Sequence, residues 1–502
     1  MDNEKEKPDP ARLEHLRKPG IYRNRISWFG TAIALTALGH IVFLFFLDVL
    51  GLQTNPYIGI FAYVVIPGVL ILGIVIILLG MALEYRRRLH HEQIKVAPYP
   101  RIDFNDPRQR NAFTFISMTT LFFILLSAVG SYRAYEYSDS VKFCGQVCHT
   151  PMHPEYTAYL ASPHARVRCV DCHVGEGAGW YVRSKLSGAY QLYSVTFNKF
   201  PRPISTPVHN LRPAQETCET CHWPERFIGA QMKVITHYGN DEKNTPLQIR
   251  LLVKTGGGSP ATGLTAGIHW HMNIANKIYF VSTDPQHQTI PWVRMVDQYG
   301  KTTEYKLQSS DLTQQQVDAM PKHRMDCIDC HNRPSHIYVP PDRAVDESIL
   351  AGRIDQSLPS VKSLSVEMLT KTYKTTPEAL DGIRKDLEEA YKTKYPDVFT
   401  SRRARLEDAI EEVQRIYQRT IFPEMNVDWR THPNNIGHFY YPGCFRCHDG
   451  NHVSSDGKVI RKDCAICHTI LTQEQNGTLM QNIPGGEFNH PADIGDIRSD
   501  RR

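Results

Sequence analysis

The chain has 502 residues and a formal net charge of +5, which is small for this length and gives no argument for nucleic-acid binding. That length accommodates roughly two to four structural units. Twelve cysteines and 23 histidines stand out, and 19 of those histidines follow residue 140, in the part of the chain that holds every cysteine.

A polar, basic segment covers residues 1–27, which we expect to be cytoplasmic, and a three-helix transmembrane anchor is predicted over 28–131. Its apolar runs cover 28–50, 57–83 and 112–131. Each run reaches the length of about 20 residues that a helix needs to cross a bilayer. The first run is expected to act as an uncleaved anchor.

The short loops predict the orientation of this anchor. Loop 51–56 has no lysine or arginine, whereas 84–111 has seven. The positive-inside rule therefore places the N-terminus and 84–111 in the cytoplasm. Three crossings deliver everything after about residue 132 to the opposite side, which is the periplasm if the membrane is a bacterial inner membrane.

Five C-x-x-C-H motifs, and one with an extra residue between its cysteines, use all twelve cysteines. This pattern is the signature of covalent c-type haem attachment, in which the histidine is the proximal iron ligand. Disulfides or zinc sites are the alternatives. We number the motifs by cysteines and proximal histidine: motif 1 (Cys144, Cys148, His149), motif 2 (Cys169, Cys172, His173), motif 3 (Cys218, Cys221, His222), motif 4 (Cys327, Cys330, His331), motif 5 (Cys444, Cys447, His448) and motif 6 (Cys464, Cys467, His468).

Motifs 1–3 lie in segment 132–230. Between motifs 2 and 3, a helix is predicted from about Gly179, with four aromatic or basic residues expected along one side: Arg183, Lys185, Tyr190 and Tyr193. Periodicity leaves two interpretations open. The helix is either interfacial with cations reaching toward water, or one wall of a quinol pocket.

Segment 231–320 reads as a β-rich insertion, with strands expected at 248–254, 277–283 and 304–308. Alternation over 268–271 would place His269 and His271 on one face of a strand, and we expect one of them to reach an iron. Motif 4 follows in 321–342. Residues 343–420 are predicted to form a helical spacer that packs around the haems. Segment 421–502 holds motifs 5 and 6.

The membrane anchor, the sequence CVDCHV at motif 2 and the sequence CIDCHNRPSH at motif 4 resemble the NapC/NirT/NrfH family of membrane-anchored multihaem quinol dehydrogenases. The resemblance covers about 111–230 and 320–340, and the larger layout is similar to ImcH-type inner-membrane cytochromes. It implies a membrane-anchored multihaem cytochrome c. We therefore expect three transmembrane helices and a mainly α and irregular, haem-packed periplasmic domain with a small β-rich insertion.

The six motifs predict six covalent haem c groups, whereas the family typically has four, and the resemblance implies menaquinol or ubiquinol as substrate at the first. Lys185 matches the quinol-site lysine of the family, with Arg183 nearby and Gln191 where an acidic residue is expected. Met152, His149 and His153 are all open as ligands of the first iron. The ligand exchange of the family suggests that His336 serves motif 2 and His164 serves motif 4.

Distal ligands outside the family module are drawn from the remaining histidines: His209 or His271 for motif 3, and His432, His438 and His452 for motifs 5 and 6. The expected function is quinol oxidation and electron relay to periplasmic cytochromes or other acceptors. The partners expected are the membrane, the quinol pool and other membrane subunits. The alternatives are a terminal reductase of a small oxyanion such as nitrite, or a non-catalytic electron-transfer anchor.

Overall fold

The computed structural model describes residues 22, 24–49, 66–90, 103–147, 149–174, 178–207, 212–257, 267–272 and 276–482. The chain divides into two compact units. The first comprises Met1–Ser138 and Glu176–Lys185, and the second comprises Asp139–Gly175 and Leu186–Arg502.

The first unit contains three long helices: α1 (Arg25–Val49), α2 (Ile66–His90) and α3 (Pro107–Ser138). Within the described residues, two helical stretches are long and apolar enough to cross a membrane, Arg25–Phe43 in α1 and Ile66–Arg87 in α2. The sequence predicts three such spans, so this test supports two of them. Only 17% and 11% of these stretches are buried, so their apolar side chains face outward.

Small residues bring α1 and α2 into close contact. A Cβ on Gly30 would lie 2.7 Å from the backbone nitrogen of Ile77, and one on Gly73 would lie 2.8 Å from that of Ala34. The Ser27 hydroxyl also donates to the Ile77 carbonyl across the interface at 3.1 Å. Close backbone approach at small residues is the usual way in which helices pair in a bilayer, where burial of apolar surface provides no drive.

The second unit begins with the π-helical turn Phe143–Val147. Its helices run in this order, with α6 crossing the boundary between the units: α4 (His149–Leu160), α5 (Cys169–His173), α6 (Ala178–Thr196), α7 (Ala214–Cys218), α8 (Gln314–Ala319), α9 (Cys327–Cys330), α10 (Pro341–Leu350), α11 (Val361–Thr370), α12 (Thr376–Lys394), α13 (Pro396–Ser401) and α14 (Arg403–Thr420). Short 3-10 turns lie at Pro224–Arg226, Ile268–Met272, Pro423–Met425, Gly443–Arg446 and Cys464–Ile466.

Two antiparallel sheets lie in this unit. The strands are β1 (Gln231–Tyr238), β2 (Pro246–Val253), β3 (Lys277–Val281), β4 (Trp292–Val296), β5 (Thr302–Leu307), β6 (His323–Arg324), β7 (His452–Ser454), β8 (His468–Gln475) and β9 (Thr478–Asn482). One sheet has the order β1-β2-β8-β9 and the other has the order β6-β3-β4-β5-β7. Strands of the predicted insertion therefore pair with strands from the C-terminal segment in both sheets.

The segment predicted as a helical spacer forms a core of its own. Helices α10–α14 bury apolar side chains at helical spacing, among them Ile383 and Leu387 on α12 and Ile410 and Val413 on α14. The prolines that were predicted to mark breaks lie near helix starts, with Pro377 in the first turn of α12 and Pro396 at the beginning of α13. This bundle anchors the chain between motifs 4 and 5.

The prediction of a strand at 268–271 is wrong. These residues form a 3-10 turn, because the chain there lies outside both sheets and has no ladder partner. A 3-10 turn has three residues per turn, so side chains two positions apart point in different directions rather than to one face. This difference decides where His269 and His271 lie.

Candidate functional site

Three of the regular motifs, motifs 3, 4 and 5, close a tight turn on themselves. The backbone N–H of the motif histidine donates to the carbonyl of the first cysteine, at 2.8 Å from His222 and from His331 and at 3.0 Å from His448. The turn gathers the two thiols and the imidazole into one short segment. That arrangement suits a group that is bonded through both sulfurs and ligated from one face by the ring.

Motif 1 takes up its extra residue in the π-helical turn Phe143–Val147. A π-turn closes with one residue more than an α-turn and is frequent at functional sites. Gly145 in this turn is buried against the ring of Tyr156, and a Cβ there would lie 2.2 Å from the ring. The side chain of His149, which begins α4, and residue Cys148 lie outside the described residues.

Five motif histidines each face a second histidine ring. The distances between ring centroids are 6.2 Å for His173–His336 (motif 2), 6.0 Å for His222–His164 (motif 3), 6.3 Å for His331–His269 (motif 4), 5.8 Å for His448–His271 (motif 5) and 6.3 Å for His468–His438 (motif 6). We call these the paired histidines.

These distances fit a metal ion between the rings. A metal–imidazole bond is about 2 Å long, and the ring centre lies roughly 1 Å further away, so two rings on opposite sides of one ion are separated by about 6 Å. His287 and His323, which are in no motif, approach each other to 4.8 Å and leave less room. The paired histidines therefore fit bis-histidine ligation of haem iron.

The ring nitrogens of the paired histidines divide their roles. Nδ1 lies within hydrogen-bond distance of a backbone carbonyl in five of these rings: His164 to Pro334, His269 to Thr255, His271 to Ile268, His336 to Glu155 and His448 to Arg461, at 2.6–3.2 Å. A metal-bound imidazole usually donates its second N–H in this way, which fixes the tautomer and leaves Nε2 for the metal. The geometry thus orients each of these rings for ligation.

Burial also keeps several of these rings in the form that binds metal. It is the largest influence on the pKa of five paired histidines, and it lowers that pKa in each: His173, His271, His331, His336 and His468. Burial disfavours the charged imidazolium, and only the neutral ring can donate a lone pair to iron. Burial therefore favours the neutral imidazole, which is the form that binds a metal.

The turn Ile268–Met272 supplies rings to two neighbouring motifs. His269 lies parallel to His331 of motif 4, with 4° between the ring planes, while His271 meets His448 of motif 5 at 89°. The sequence predicts that one of the two reaches an iron and offers His209 or His271 for motif 3. In the structure both rings face motif histidines, and His271 faces that of motif 5. Their spacing of two on a turn of three residues sends the rings to different sites. The sequence assigns no motif to His269.

The other predicted distal ligands divide into three groups. His336 lies at motif 2 and His438 at motif 6, as the sequence predicts, whereas His164 lies at motif 3 rather than motif 4. His209 lies outside the described residues. His432 and His452 face no motif ring, which corrects their assignment to motifs 5 and 6.

His452 and His432 have other hydrogen-bond partners. Both nitrogens of the fully buried His452 are engaged, Nδ1 with Asp449 at 2.9 Å and Nε2 with the Ile290 carbonyl at 2.7 Å. The Nδ1 atom of His432 lies 3.0 Å from the Thr206 hydroxyl, and burial lowers the pKa of His432 to about 4. His452 therefore has no nitrogen left for a metal, whereas the buried Nε2 of His432 has no hydrogen-bond partner among the described residues, and His432 keeps the division of roles seen in the paired histidines.

The motifs lie next to one another in chain order. Thiols of consecutive motifs interact at every step: Cys144 with Cys169, Cys172 with Cys221, Cys218 with Cys327, Cys330 with Cys444, and Cys444 with Cys467. At the first step the hydrogen bond with Cys144 lowers the pKa of Cys169 to about 7. The thiols therefore mark a single file from motif 1 to motif 6.

The alternative interpretations of the cysteines find no support in the geometry. The described cysteines are all free thiols. Within the part of the chain that the structure describes, no three histidine, cysteine or acidic side chains converge as a zinc site requires.

The predicted quinol-site residues on α6 do not share one side of the helix. Arg183 and Tyr190 are seven residues apart and fall on the same side, whereas Lys185, only two residues beyond Arg183, falls on the opposite side. The Arg183 guanidinium lies 5.3 Å from the Trp180 ring centre. The side chain of Lys185 lies outside the described ones.

Gln191, Met152 and His153 are the remaining entry-site candidates. Gln191 is exposed and donates to the Ser187 hydroxyl at 3.2 Å. Met152 is half-buried on α4. His153 lies edge-on to Phe422 at 5.3 Å and lines a cavity of about 370 Å³. On one helix, positions four apart share a side, so His149 and His153 cannot bind opposite faces of one iron.

Comparison with known proteins gives two matches. The model of the NapC/NirT cytochrome c family, N-terminal region, matches residues 106–215. The cytochrome c-type protein ImcH of Geobacter sulfurreducens is 44% identical over 486 residues, which cover 96% of this chain and 94% of ImcH. No solved structure matches the chain.

Proposed function

Because the chain belongs to the NapC/NirT cytochrome c family, we propose that it oxidises menaquinol or ubiquinol at the outer face of a bacterial inner membrane and passes the electrons to periplasmic carriers. The observation that carries this proposal is the single file of motifs, in which thiols of each motif interact with those of the next, through hydrogen bonds at Cys144–Cys169 and Cys218–Cys327 and electrostatically at the other three steps. Such a file gives electrons a continuous path across the second unit.

Six haem c groups are proposed, one at each motif. When bound, they supply reversible one-electron chemistry, which lets the two electrons of a quinol pass along the file singly. The cysteine pairs would hold them covalently, and the paired histidines would ligate five of the irons. The protein fixes the spacing, keeps the rings neutral and orients Nε2 through the Nδ1 bonds.

We place electron entry at motif 1. Its extra residue and π-turn distinguish it from the other five motifs, and its ligand set of Met152, His149 and His153 remains the proposal from sequence. The proposed quinol pocket uses Lys185 to bind the quinol head group and to accept its protons, because Lys185 matches the quinol-site lysine of the family. Arg183 and Gln191 are the further candidates from sequence, but Arg183 falls on the opposite side of α6 from Lys185, so Lys185 is the residue to test.

The proposed topology has three spans, with the N-terminus cytoplasmic and the motifs periplasmic. Apolar side chains on α3 are largely exposed, among them Phe115 at 71% and Met118 at 63%. Arg86 and Arg87 near the end of α2 and Arg108 near the start of α3 flank one loop, which the positive-inside rule assigns to the cytoplasm. A crossing by α3 then carries motif 1 to the side where c-type haem is attached.

A terminal reductase of nitrite or another small oxyanion is the weaker alternative. It requires an iron with a vacant position and a polar pocket. Five motif histidines face a second ring at ligating distance, so only motif 1 is open to this role. The remaining alternative is a non-catalytic anchor subunit, whose haems quinol would not reduce without a partner subunit.

The test is to mix the purified holoprotein with a menaquinol analogue and follow the haem absorbance. We expect reduction without any other subunit, and slower reduction in K185A. Lys199 is the matched control: it lies just beyond α6 and its Nζ bonds the Tyr193 hydroxyl at 2.7 Å, so K199A should react at the normal rate. Absence of reduction in the unaltered protein would favour the anchor. Reoxidation by nitrite with a high-spin resonance would favour the reductase.

A further inference from the structure

A buried carboxylate lies against the ring that faces motif 2. Glu155 belongs to α4, the helix that starts at His149 of motif 1. Its Oε2 atom lies 3.2 Å from Nδ1 of His336, and its own backbone carbonyl lies 3.0 Å from the same nitrogen. The side chain of Glu155 is only 14% exposed, so water screens this contact weakly.

Arg333 holds both partners of this contact. Its Nη2 atom lies 3.4 Å from the Glu155 carboxylate, and its Nε donates to the His336 backbone carbonyl at 2.7 Å. The side chain is 8% exposed, and the guanidinium lies 5.0 Å from the Tyr338 ring centre. Glu155, Arg333 and His336 thus form one buried assembly beside motif 2.

The carboxylate of Glu155 is paired with a permanent positive charge. Arg333 lies 3.4 Å from it, and a guanidinium is protonated throughout the physiological pH range. The assembly therefore brings a full negative charge to the nitrogen that stands opposite the metal-binding one on the His336 ring.

The other paired rings with a described Nδ1 partner differ from His336. The Nδ1 partners of His164, His269, His271 and His448 are neutral backbone carbonyls. His336 Nδ1 also has a backbone carbonyl as its hydrogen-bond partner, but a carboxylate oxygen of Glu155 lies beside it at 3.2 Å. A negative charge at that distance makes the imidazole more basic and strengthens its donation to the metal. Stronger donation and a nearby negative charge both favour ferric over ferrous iron.

We propose that Glu155 is a positioning residue that lowers the reduction potential of the haem at motif 2 through His336, and that Arg333 sets how far it does so. This inference rests on the proposed electron file. Motif 2 is second in that file, so a lowered potential keeps its haem oxidised while the haems at motifs 1 and 3 are reduced. The step from motif 1 into motif 2 then limits how fast electrons enter the rest of the file.

The experiment is a spectroelectrochemical titration of the purified six-haem protein and of E155Q, which keeps the shape and removes the charge. At a fixed potential we expect the ratio of reduced to oxidised haem at one site to rise about tenfold, which corresponds to about 59 mV for one electron. The electron paramagnetic resonance signal of the haem at motif 2 should change as well, since the charge beside His336 changes. An unshifted potential, or one shifted downward, overturns the proposal.

Two further variants separate tuning from damage. Glu412 is the matched control, because it too is buried and is paired with Arg353 at 2.8 Å, but it faces none of the paired rings; E412Q should shift no haem. R333K keeps a positive charge against Glu155 and should shift the potential of the same haem much less than E155Q does. Generic disruption of the assembly would shift the potential equally in E155Q and R333K, and that result would contradict the proposal.

Haem content decides how each variant is interpreted. If E155Q fails to load six haems, E155D carries the test: its shorter side chain moves the charge away from His336, so the potential of the same haem should rise, and no shift or a downward one rejects the proposal. The titration uses chemical mediators and no quinol. Its outcome is therefore independent of whether the protein oxidises quinol, and the two proposals can fail separately.

Discussion

At the scale of single residues, the two nitrogens of a histidine distinguish iron ligands from interior residues. Paired histidines such as His164 and His269 place Nδ1 on a backbone carbonyl and leave Nε2 for a metal. Both ring nitrogens of His452 make hydrogen bonds, so neither is free to bind a metal. In a chain with 23 histidines, this division of hydrogen bonds identifies ligands better than position in the sequence does.

Replacement of His164 by methionine tests its assignment to motif 3. The rings of His164 and His222 are nearly perpendicular, at 78°. H164M should give the motif 3 haem one histidine and one methionine ligand, which raises its potential. It should also remove one resonance typical of perpendicular rings. His323 lies in no ring pair with a motif, so H323M should leave all potentials in place. A shift at motif 4 instead would restore the assignment made from sequence.

The sequence was sufficient for proximal ligands and insufficient for distal ones, and the reason is physical. A thiol pair and its histidine occupy one turn, so local spacing defines them, as it does for His173 and His331. A distal ring arrives from elsewhere in the chain, as His164 does at motif 3, and only tertiary packing brings it there. The family resemblance assigns His336 to motif 2, and the structure brings its ring to 6.2 Å from that of His173 because both rings lie within the shared module.

At the scale of elements, the π-turn of motif 1 explains how an irregular motif fits a regular file. The extra residue widens the turn, and Gly145 lets the ring of Tyr156 lie against its backbone. Tyr156 in turn stacks on Tyr159, whose hydroxyl donates to the Val167 carbonyl just before motif 2. The turn, α4 and the approach to motif 2 therefore support one another.

A methyl group at position 145 should disturb this arrangement. In G145A the new Cβ would meet the Tyr156 ring at 2.2 Å, too close for any side chain to tolerate. Overpacking of this kind costs about 1–3 kcal/mol. We expect lower haem occupancy at motif 1, measured as haem per protein, with the other motifs filled. The double variant G145A/Y156A should recover occupancy, and failure to recover would assign the loss to another cause.

The β-strands show how far secondary structure can be predicted from the periodicity of apolar residues. The strands expected near β2, β3 and β5 exist, because their apolar alternation is regular. The run 268–271 alternates equally well but forms a 3-10 turn. Alternation indicates which residues prefer burial. His269 and His271 satisfy that preference at two different motifs rather than on one face of a sheet.

At the scale of the whole molecule, motifs arranged in a single file give electrons one route from motif 1 to motif 6. Each motif interacts with the one before and the one after it, so a missing member interrupts the path. Replacing both Cys327 and Cys330 by alanine removes the attachment at motif 4. With a quinol analogue, we expect haems 1–3 to be reduced at the normal rate and haems 5 and 6 to lag at least tenfold in stopped-flow absorbance.

Removal of the last motif is the corresponding control. Alanines at Cys464 and Cys467 take away the end of the file, so the five remaining haems should still be reduced in order. If the motif 4 variant reduces haems 5 and 6 as quickly as the unaltered protein does, electrons have another route and the file is not the working path.

The sheets also join two distant regions of the chain. β8, from the C-terminal segment, pairs with β2, and β7 pairs with β5, so neither sheet is complete without strands from both regions. His271, between β2 and β3, faces His448 of motif 5. The two regions lie far apart in the sequence but form one structural module, so removal of either one leaves both sheets incomplete.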